Sequence, residues 1–176
     1  LISTQDPLGN RTSVEYDAVD NILSQADALG RITTFAYDNL DRRIKTTDAL
    51  GNATTWTYDS VGNVLTQSRP LGRFSQFEYD ALNRLTTTTD ALGGQTLNSY
   101  DAVGNLTSST DALGYTFRFG YDALNRRTTV TDPLNNVSTT HFDANGNVLS
   151  VTDELSRTTT NHYDAVGRLL SAIDPL

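Results

Sequence analysis

Short runs in which aromatic or β-branched residues recur at alternate positions follow one another along the chain, each about six or seven residues long and each stopped by a polar cluster. Phe35 and Tyr37, Trp56 and Tyr58, Phe77 and Tyr79, and Phe119 and Tyr121 are two apart, the spacing that sets a pair on one face of a strand. Threonine fills the flanking places, as in NATTWTYD and RLTTTTD, and β-branched side chains favour strands over helices. No segment carries a sustained helical period. The pattern predicts strands joined by tight turns.

The breaks fall at fixed intervals. Asp-Ala/Pro-Leu begins at 6, 27, 48, 90, 111, 132 and 174, with Asp153-Glu154-Leu155 as a variant at 153; Arg69-Pro70-Leu71 fills the one gap, and every interval is 21 residues. Tyr-Asp stands at 16, 37, 58, 79, 100, 121 and 163, with Phe142-Asp143 in the remaining slot, again 21 apart. Eight full repeats, starting at 6, 27, 48, 69, 90, 111, 132 and 153, therefore occupy the chain with partial ends.

Each repeat holds two similar halves that open on Asp and reach, at the fourth place, a residue tolerant of a left-handed backbone. In the first half these are Gly9, Gly30, Gly51, Gly72, Gly93, Gly114, Asn135 and Ser156. In the second they are Asp20, Asp41, Gly62, Asn83, Gly104, Asn125, Gly146 and Gly167. Only Ser156 departs from the Gly, Asn or Asp rule. Pro7, Pro70, Pro133 and Pro175 each follow the opener, where a type I turn wants φ near −65°. The opener's carboxylate can accept a backbone N–H further along. The combination predicts hairpin loops made of a type I turn closed by a left-handed residue.

About sixteen strands, two per repeat, then form an all-β antiparallel meander. Strands lie roughly 4.8 Å apart, so eight repeats would make an arc of roughly 75–80 Å. Twist makes so wide a sheet curl, and equal repeats would turn it by equal steps into a superhelical ribbon, a tube or the wall of a barrel-like shell. The leucines of the first turns, Leu8 through Leu176, are expected to plug the rims. Edges exposed at either end would pair with flanking repeats or join like chains end to end. The absence of Met marks the chain as an expected piece of something longer.

Net charge narrows the partners. At −8, with Lys45 as the sole lysine, the chain lacks the clustered cations that nucleic acid or anionic membrane requires. There is no apolar run near the length that spans a bilayer. Cysteine is absent, so disulfides and thiolate metal sites are excluded. The Thr-, Asn-, Asp- and Ser-rich surface suggests a secreted or cell-surface setting.

The element quoted as YDALNRL (79–85), YDAVGNL (100–106) and YDAVGRL (163–169) closely resembles the YD repeat, also called the Rhs repeat, and the likeness runs through 1–176 as a single array. The family includes bacterial Rhs and polymorphic toxins, shell subunits of insecticidal toxin complexes, and teneurins. The resemblance implies a hollow β-shell that encloses a toxin domain, or a surface adhesion role. It also offers Asp174-Pro175-Leu176 as the beginning of a self-cleaving aspartyl element, but the same residues are in register as the ninth copy of the turn.

Candidate sites must be weighed against the repeat. His141 and His162 share one repeat position, two strands or about 10 Å apart, which is too far to share an ion. Sixteen of the 21 acidic residues open turns, among them Asp17, Asp38, Asp59 and Asp80, and a carboxylate row could hold Ca2+. A hydrogen-bonded turn asks for the same Asp, so a structural role is expected of these four and of Gly9, Gly30, Gly51, Gly72, Gly93 and Gly114. The aromatic column, Tyr16, Tyr37, Tyr58, Tyr79, Tyr100, Tyr121, Phe142 and Tyr163, is expected to be structural, with carbohydrate contact as the alternative. No nucleophile elbow, phosphate loop or unique carboxylate pair is present, so no catalytic residue and no cofactor are expected. The roles that follow are a non-catalytic shell or scaffold segment, a segment of an extracellular filament, or an adhesin for glycans or receptors.

Overall fold

In the computed structural model, residues 2–175 are described. The chain divides into two compact units, Leu1–Gly93 and Gly94–Leu176. In the first, nine strands follow in order: β1 (Ile2–Gln5), β2 (Arg11–Tyr16), β3 (Ile22–Ala26), β4 (Ile32–Tyr37), β5 (Arg43–Thr47), β6 (Ala53–Tyr58), β7 (Val64–Arg69), β8 (Arg73–Tyr79) and β9 (Leu85–Asp90). In the second there are eight: β10 (Gln95–Tyr100), β11 (Leu106–Thr110), β12 (Thr116–Tyr121), β13 (Arg127–Thr131), β14 (Val137–Phe142), β15 (Val148–Thr152), β16 (Thr158–Tyr163) and β17 (Leu169–Ile173).

Within each unit every strand pairs antiparallel with its neighbours in the chain, so the all-β meander read from the repeat is the fold. Seventeen strands replace the sixteen expected because Ile2–Gln5, ahead of the first full repeat, makes a strand of its own. First-half turns lie on one edge of each meander and second-half turns on the other.

The two kinds of hairpin differ in a way the even count conceals. Across a second-half turn the register slips once: Ala36 faces Lys45 but Tyr37 faces Arg43, leaving Ile44 as an extra residue. The same slip precedes Tyr16, Tyr58, Tyr79, Tyr100, Tyr121, Phe142 and Tyr163. Each is a β-bulge, and it returns the residue opposite the tyrosine to the aromatic face. Most first-half hairpins carry three regular pairs, as in Ser24–Thr34, Gln25–Thr33 and Ala26–Ile32.

No side chain among the described residues is buried. The accessible area is 11962 Å², against about 8,400 Å² expected for a compact chain of this mass. Stability must come from ladder hydrogen bonds and half-covered side chains on the sheet faces rather than from a two-layer core. Threonine contributes directly: Thr57 and Thr66, opposed across β6 and β7, bond through their hydroxyls at 2.6 Å, and Thr110 and Thr116 do so at 2.8 Å.

The rim leucines behave differently from expectation. Leu8, Leu29, Leu50, Leu71, Leu92, Leu113, Leu134 and Leu155 are 71–97% exposed, because a residue at the tip of a turn has no neighbouring element to cover it. Leu176, the ninth, lies outside the described residues.

Candidate functional site

The turns are built around the opening aspartate. In the first, Asp6 Oδ1 accepts the backbone N–H of Leu8 at 2.9 Å and of Asn10 at 3.0 Å, while Gly9 N–H donates to Asp6 O at 3.0 Å. The other oxygen, Oδ2, takes Asn10 Nδ2 at 2.8 Å. Where the fifth residue is arginine, its guanidinium replaces the amide: Arg42 Nε donates to Asp38 Oδ2 at 2.8 Å and Arg84 Nε to Asp80 Oδ2 at 2.7 Å. Asp17 and Asp59 use Asn21 and Asn63 in the same way. A turn carboxylate thus holds two backbone donors and one side-chain donor, the charge-assisted kind of bond that favours the ionised form. At Asp38 and Asp80 the arginine side-chain bond is the leading cause that lowers the carboxyl below its ordinary value of 3.8; at Asp48 and Asp101 it is the asparagine side-chain bond.

The fourth position has positive φ in all sixteen turns, including Gly9 (87°), Gly30 (76°), Gly51 (83°), Gly72 (71°), Gly93 (83°) and Gly114 (86°). Ser156 adopts φ 63° although serine disfavours it, because Asp153 and Arg157 impose the same clamp on its turn. One turn differs. At Arg69–Arg73 the opener's side chain cannot accept a hydrogen bond, and Leu71 stands at φ 65° beside Gly72. Two consecutive left-handed residues, Leu71 and Gly72, depart from a type I turn closed by a single left-handed residue, so the type I expectation at Pro70 is corrected.

The fifth residue's second role was not read from the sequence. Asn21 Nδ2 also reaches Asp41 Oδ1 in the next repeat at 2.9 Å, Asn63 reaches Asn83 Oδ1 at 2.9 Å, and Asn105 reaches Asn125 Oδ1 at 2.9 Å. Arg42 Nη1 instead donates to the carbonyl of Asp59 at 2.7 Å, and Arg126 Nη1 to that of Asp143 at 2.8 Å. Along the second-half edge asparagine and arginine alternate strictly, Asn21, Arg42, Asn63, Arg84, Asn105, Arg126, Asn147, Arg168. At 21, 63 and 105 the short asparagine meets a side chain, whereas long arginine at 42 and 126 reaches backbone and faces glycine at 62 and 146; Asn147 departs from this, standing beside Gly167. The signal was present as a 42-residue period inside the 21-residue one.

The tyrosine column occupies the gap between adjacent repeats. The β3–β4 ladder ends at Ser24–Thr34, where the strands part toward separate turns, and Tyr37 Oη bridges the opening by donating to Ile22 O at 3.0 Å. Tyr58 reaches Arg43 O at 2.8 Å, Tyr79 reaches Val64 O at 3.0 Å, Tyr121 reaches Leu106 O at 2.9 Å and Tyr163 reaches Val148 O at 3.0 Å. Burial, followed by the nearby Asp59 charge, pushes the Tyr79 phenol up. Tyr16 and Tyr100 end β2 and β10 at the same repeat position. Phe142 has no hydroxyl to give; Arg126 lies over its ring at 4.6 Å, as Arg42 lies over Tyr58 at 4.8 Å. The bulges place Arg43 against Phe35 and Trp56, at 5.8 and 5.4 Å, and Arg127 against Phe119 at 5.7 Å.

The two histidines end up exposed on β14 and β16, with β15 between them, opposite Ser150 and Ser171. Among the described residues no group of three or more His, Cys, Asp or Glu side chains is placed to hold a metal ion. Among the described residues no helix is long and apolar enough to cross a membrane.

Clamped turns, a bulge per repeat and tyrosine hydroxyls across most of the openings define a β-hairpin repeat protein whose recurring chemistry is spent on holding one repeat to the next. The RHS Repeat family model matches residues 16–53, 43–73, 58–95, 100–137 and 142–176, and the chain belongs to that family. Four of these matches begin 42 residues apart, at 16, 58, 100 and 142, the period of the asparagine–arginine alternation. No curated protein matches the chain. Among solved structures it is similar to the Tc holotoxin pore of Photorhabdus luminescens carrying the TccC3-D651A mutation, at 14% identity and TM-score 0.47, over 94% of this chain and 13% of that one. It is also similar to the TcdB2-TccC3-Cdc42 and TcdB2-TccC3 structures, each at 17% identity over 97% of this chain and 13% of theirs, with TM-scores of 0.39 and 0.38. The chain thus spans about an eighth of these structures' length.

Proposed function

We propose that this chain is a non-catalytic wall segment of a secreted or cell-surface RHS-repeat protein, a 1–176 array whose part is to extend a β-sheet by equal steps. The reading is carried by one observation: the side chains that could do chemistry, the turn aspartates and the tyrosine hydroxyls, are engaged in bonds that tie each repeat to itself or to the next. Catalysis needs a singular place, and these positions recur. In the whole protein such a wall would continue into flanking repeats and enclose a toxin domain, which is the role the family resemblance implies. The turn carboxylates serve structure rather than Ca2+, since Oδ1 and Oδ2 already hold three donors in a turn such as 38–42. Thermal unfolding with and without a chelator is expected to give the same midpoint.

Electron microscopy and sedimentation of the purified chain test the assignment. Discrete particles of constant size over a concentration series are expected. Threads that lengthen with concentration would replace the wall by a filament of like chains joined end to end. Signal on a glycan array that disappears on replacing Tyr58 or Tyr79 by Ala would replace it by an adhesin.

A further inference from the structure

The turn that breaks the aspartate rule also breaks the charge rule. Among first-half openers Asp6, Asp27, Asp48, Asp90, Asp111, Asp132 and Asp153 accept hydrogen bonds from their own turns; Arg69 stands in their place. Arg73 holds the position from which Arg31 and Arg157 each reach their opener's carboxylate at 2.6 Å. Instead Arg69 and Arg73 face one another as the last ladder pair of β7 and β8. Like charges directly opposite across a ladder repel. No ion pair or ring contact joins either guanidinium to another described residue, whereas Arg42, Arg43, Arg126 and Arg127 all lie on carboxylates or rings. The backbone is unusual at the same place, with Leu71 held at φ 65°.

These arginines line a recess of about 300 Å³ with Phe74, Ser75, Asp90, Ala91 and Leu92. Its apolar lining is open: Leu92 is 97% exposed and Phe74 41%. Asp90 also lines it, its Oδ1 accepting Leu92 N–H at 2.8 Å.

We propose that this recess is a docking site for an acidic peptide of a partner protein, a carboxylate seated between Arg69 and Arg73 and an adjacent apolar side chain laid against Phe74 and Leu92. Two guanidiniums match a carboxylate in fork geometry and gain from it the neutralisation that the missing aspartate withholds. A polyanion such as nucleic acid is disfavoured by the chain's net charge of −8, which a short peptide with one or two acids barely meets. Apolar flanks beside paired arginines are the composition of an interface centre rather than of a solvated surface.

The test uses the whole chain and a fluorescein-labelled peptide alternating glutamate and leucine, read by anisotropy at low salt. Saturable binding is expected, weakening about tenfold or more in Arg69→Asp and in the double variant Arg69→Gln, Arg73→Gln. Arg69→Asp restores the turn clamp with Arg73, so its melting temperature is expected to rise, which separates lost binding from lost fold. Absence of saturable binding, equal binding of a peptide with lysine for glutamate, or unchanged affinity in both variants would overturn the proposal. Displacement of the peptide by inorganic phosphate at the peptide's own concentration would overturn it too, reducing the site to a simple anion contact.

Discussion

At the scale of residues, small departures from the repeat are where free energy is to be gained. Thr46 Oγ1 is covered and has no hydrogen-bond partner, squeezed between the aromatic-face neighbours Phe35 and Thr54. An unmet hydroxyl in such a place costs about 1–3 kcal/mol. Thr46→Val keeps the β-branched shape and removes the polar atom, so urea titration should show a gain of about 1 kcal/mol. Ser156 is held in the left-handed region at φ 63°. An L-residue other than Asn or Asp costs about 1–2 kcal/mol there, and glycine escapes most of it. Ser156→Gly is expected to stabilise the turn, measured as a higher melting temperature.

Elements hold together unequally, and the weaker join is the one between hairpins. Inside a second-half hairpin four or five pairs and a bulge close the ladder; across most first-half turns only three pairs do. Beyond them the tyrosine hydroxyl bridges the splay with one hydrogen bond, worth about 0.5–1.5 kcal/mol net. Tyr37→Phe should lose about that amount, with the β-sheet circular dichroism spectrum unchanged. The converse holds at the slot that lacks a hydroxyl. In Phe142→Tyr the new Oη is aimed at the carbonyl of Arg127, fifteen residues back as in the other repeats, and denaturant titration should show a gain of similar size.

Over the molecule as a whole, stability is a sum of nearest-neighbour terms, because among the described residues no buried core is shared between distant repeats. That makes the 42-residue period testable. Removing 38–58 takes out β5 and β6 as one repeat and sets Asn21 beside Gly62, which offers no side chain to bond; removing 38–79 sets Asn21 beside Asn83, the partner that Asn63 already uses. A cut of 42 residues restores the alternation, and it should preserve a sharper thermal transition than a cut of 21. Acid acts on every turn together. Thirteen turn aspartates have carboxyls lowered from 3.8 in the folded chain. A lowered folded value means the unfolded chain binds protons first, so their stabilisation is complete above the unfolded value and lost as pH falls through the folded ones. Urea midpoints should be level from neutral pH to about pH 5 and fall steeply below about pH 4.

Much of this was legible from spacing alone. An unbroken interval of 21 residues, strand-spaced aromatics and Gly, Asn or Asp at each fourth place dictate hairpins of equal length, because local steric and hydrogen-bonding rules act within one turn. What spacing could not disclose is whatever depends on two repeats at once. The bulge before each tyrosine, the reach of Tyr37 to Ile22, the handing of asparagine to side chain and arginine to carbonyl, and the open tips of the rim leucines were decided only when neighbouring strands met. Turns obey short-range geometry, whereas contacts between repeats follow from where strands part, a property of the assembled sheet.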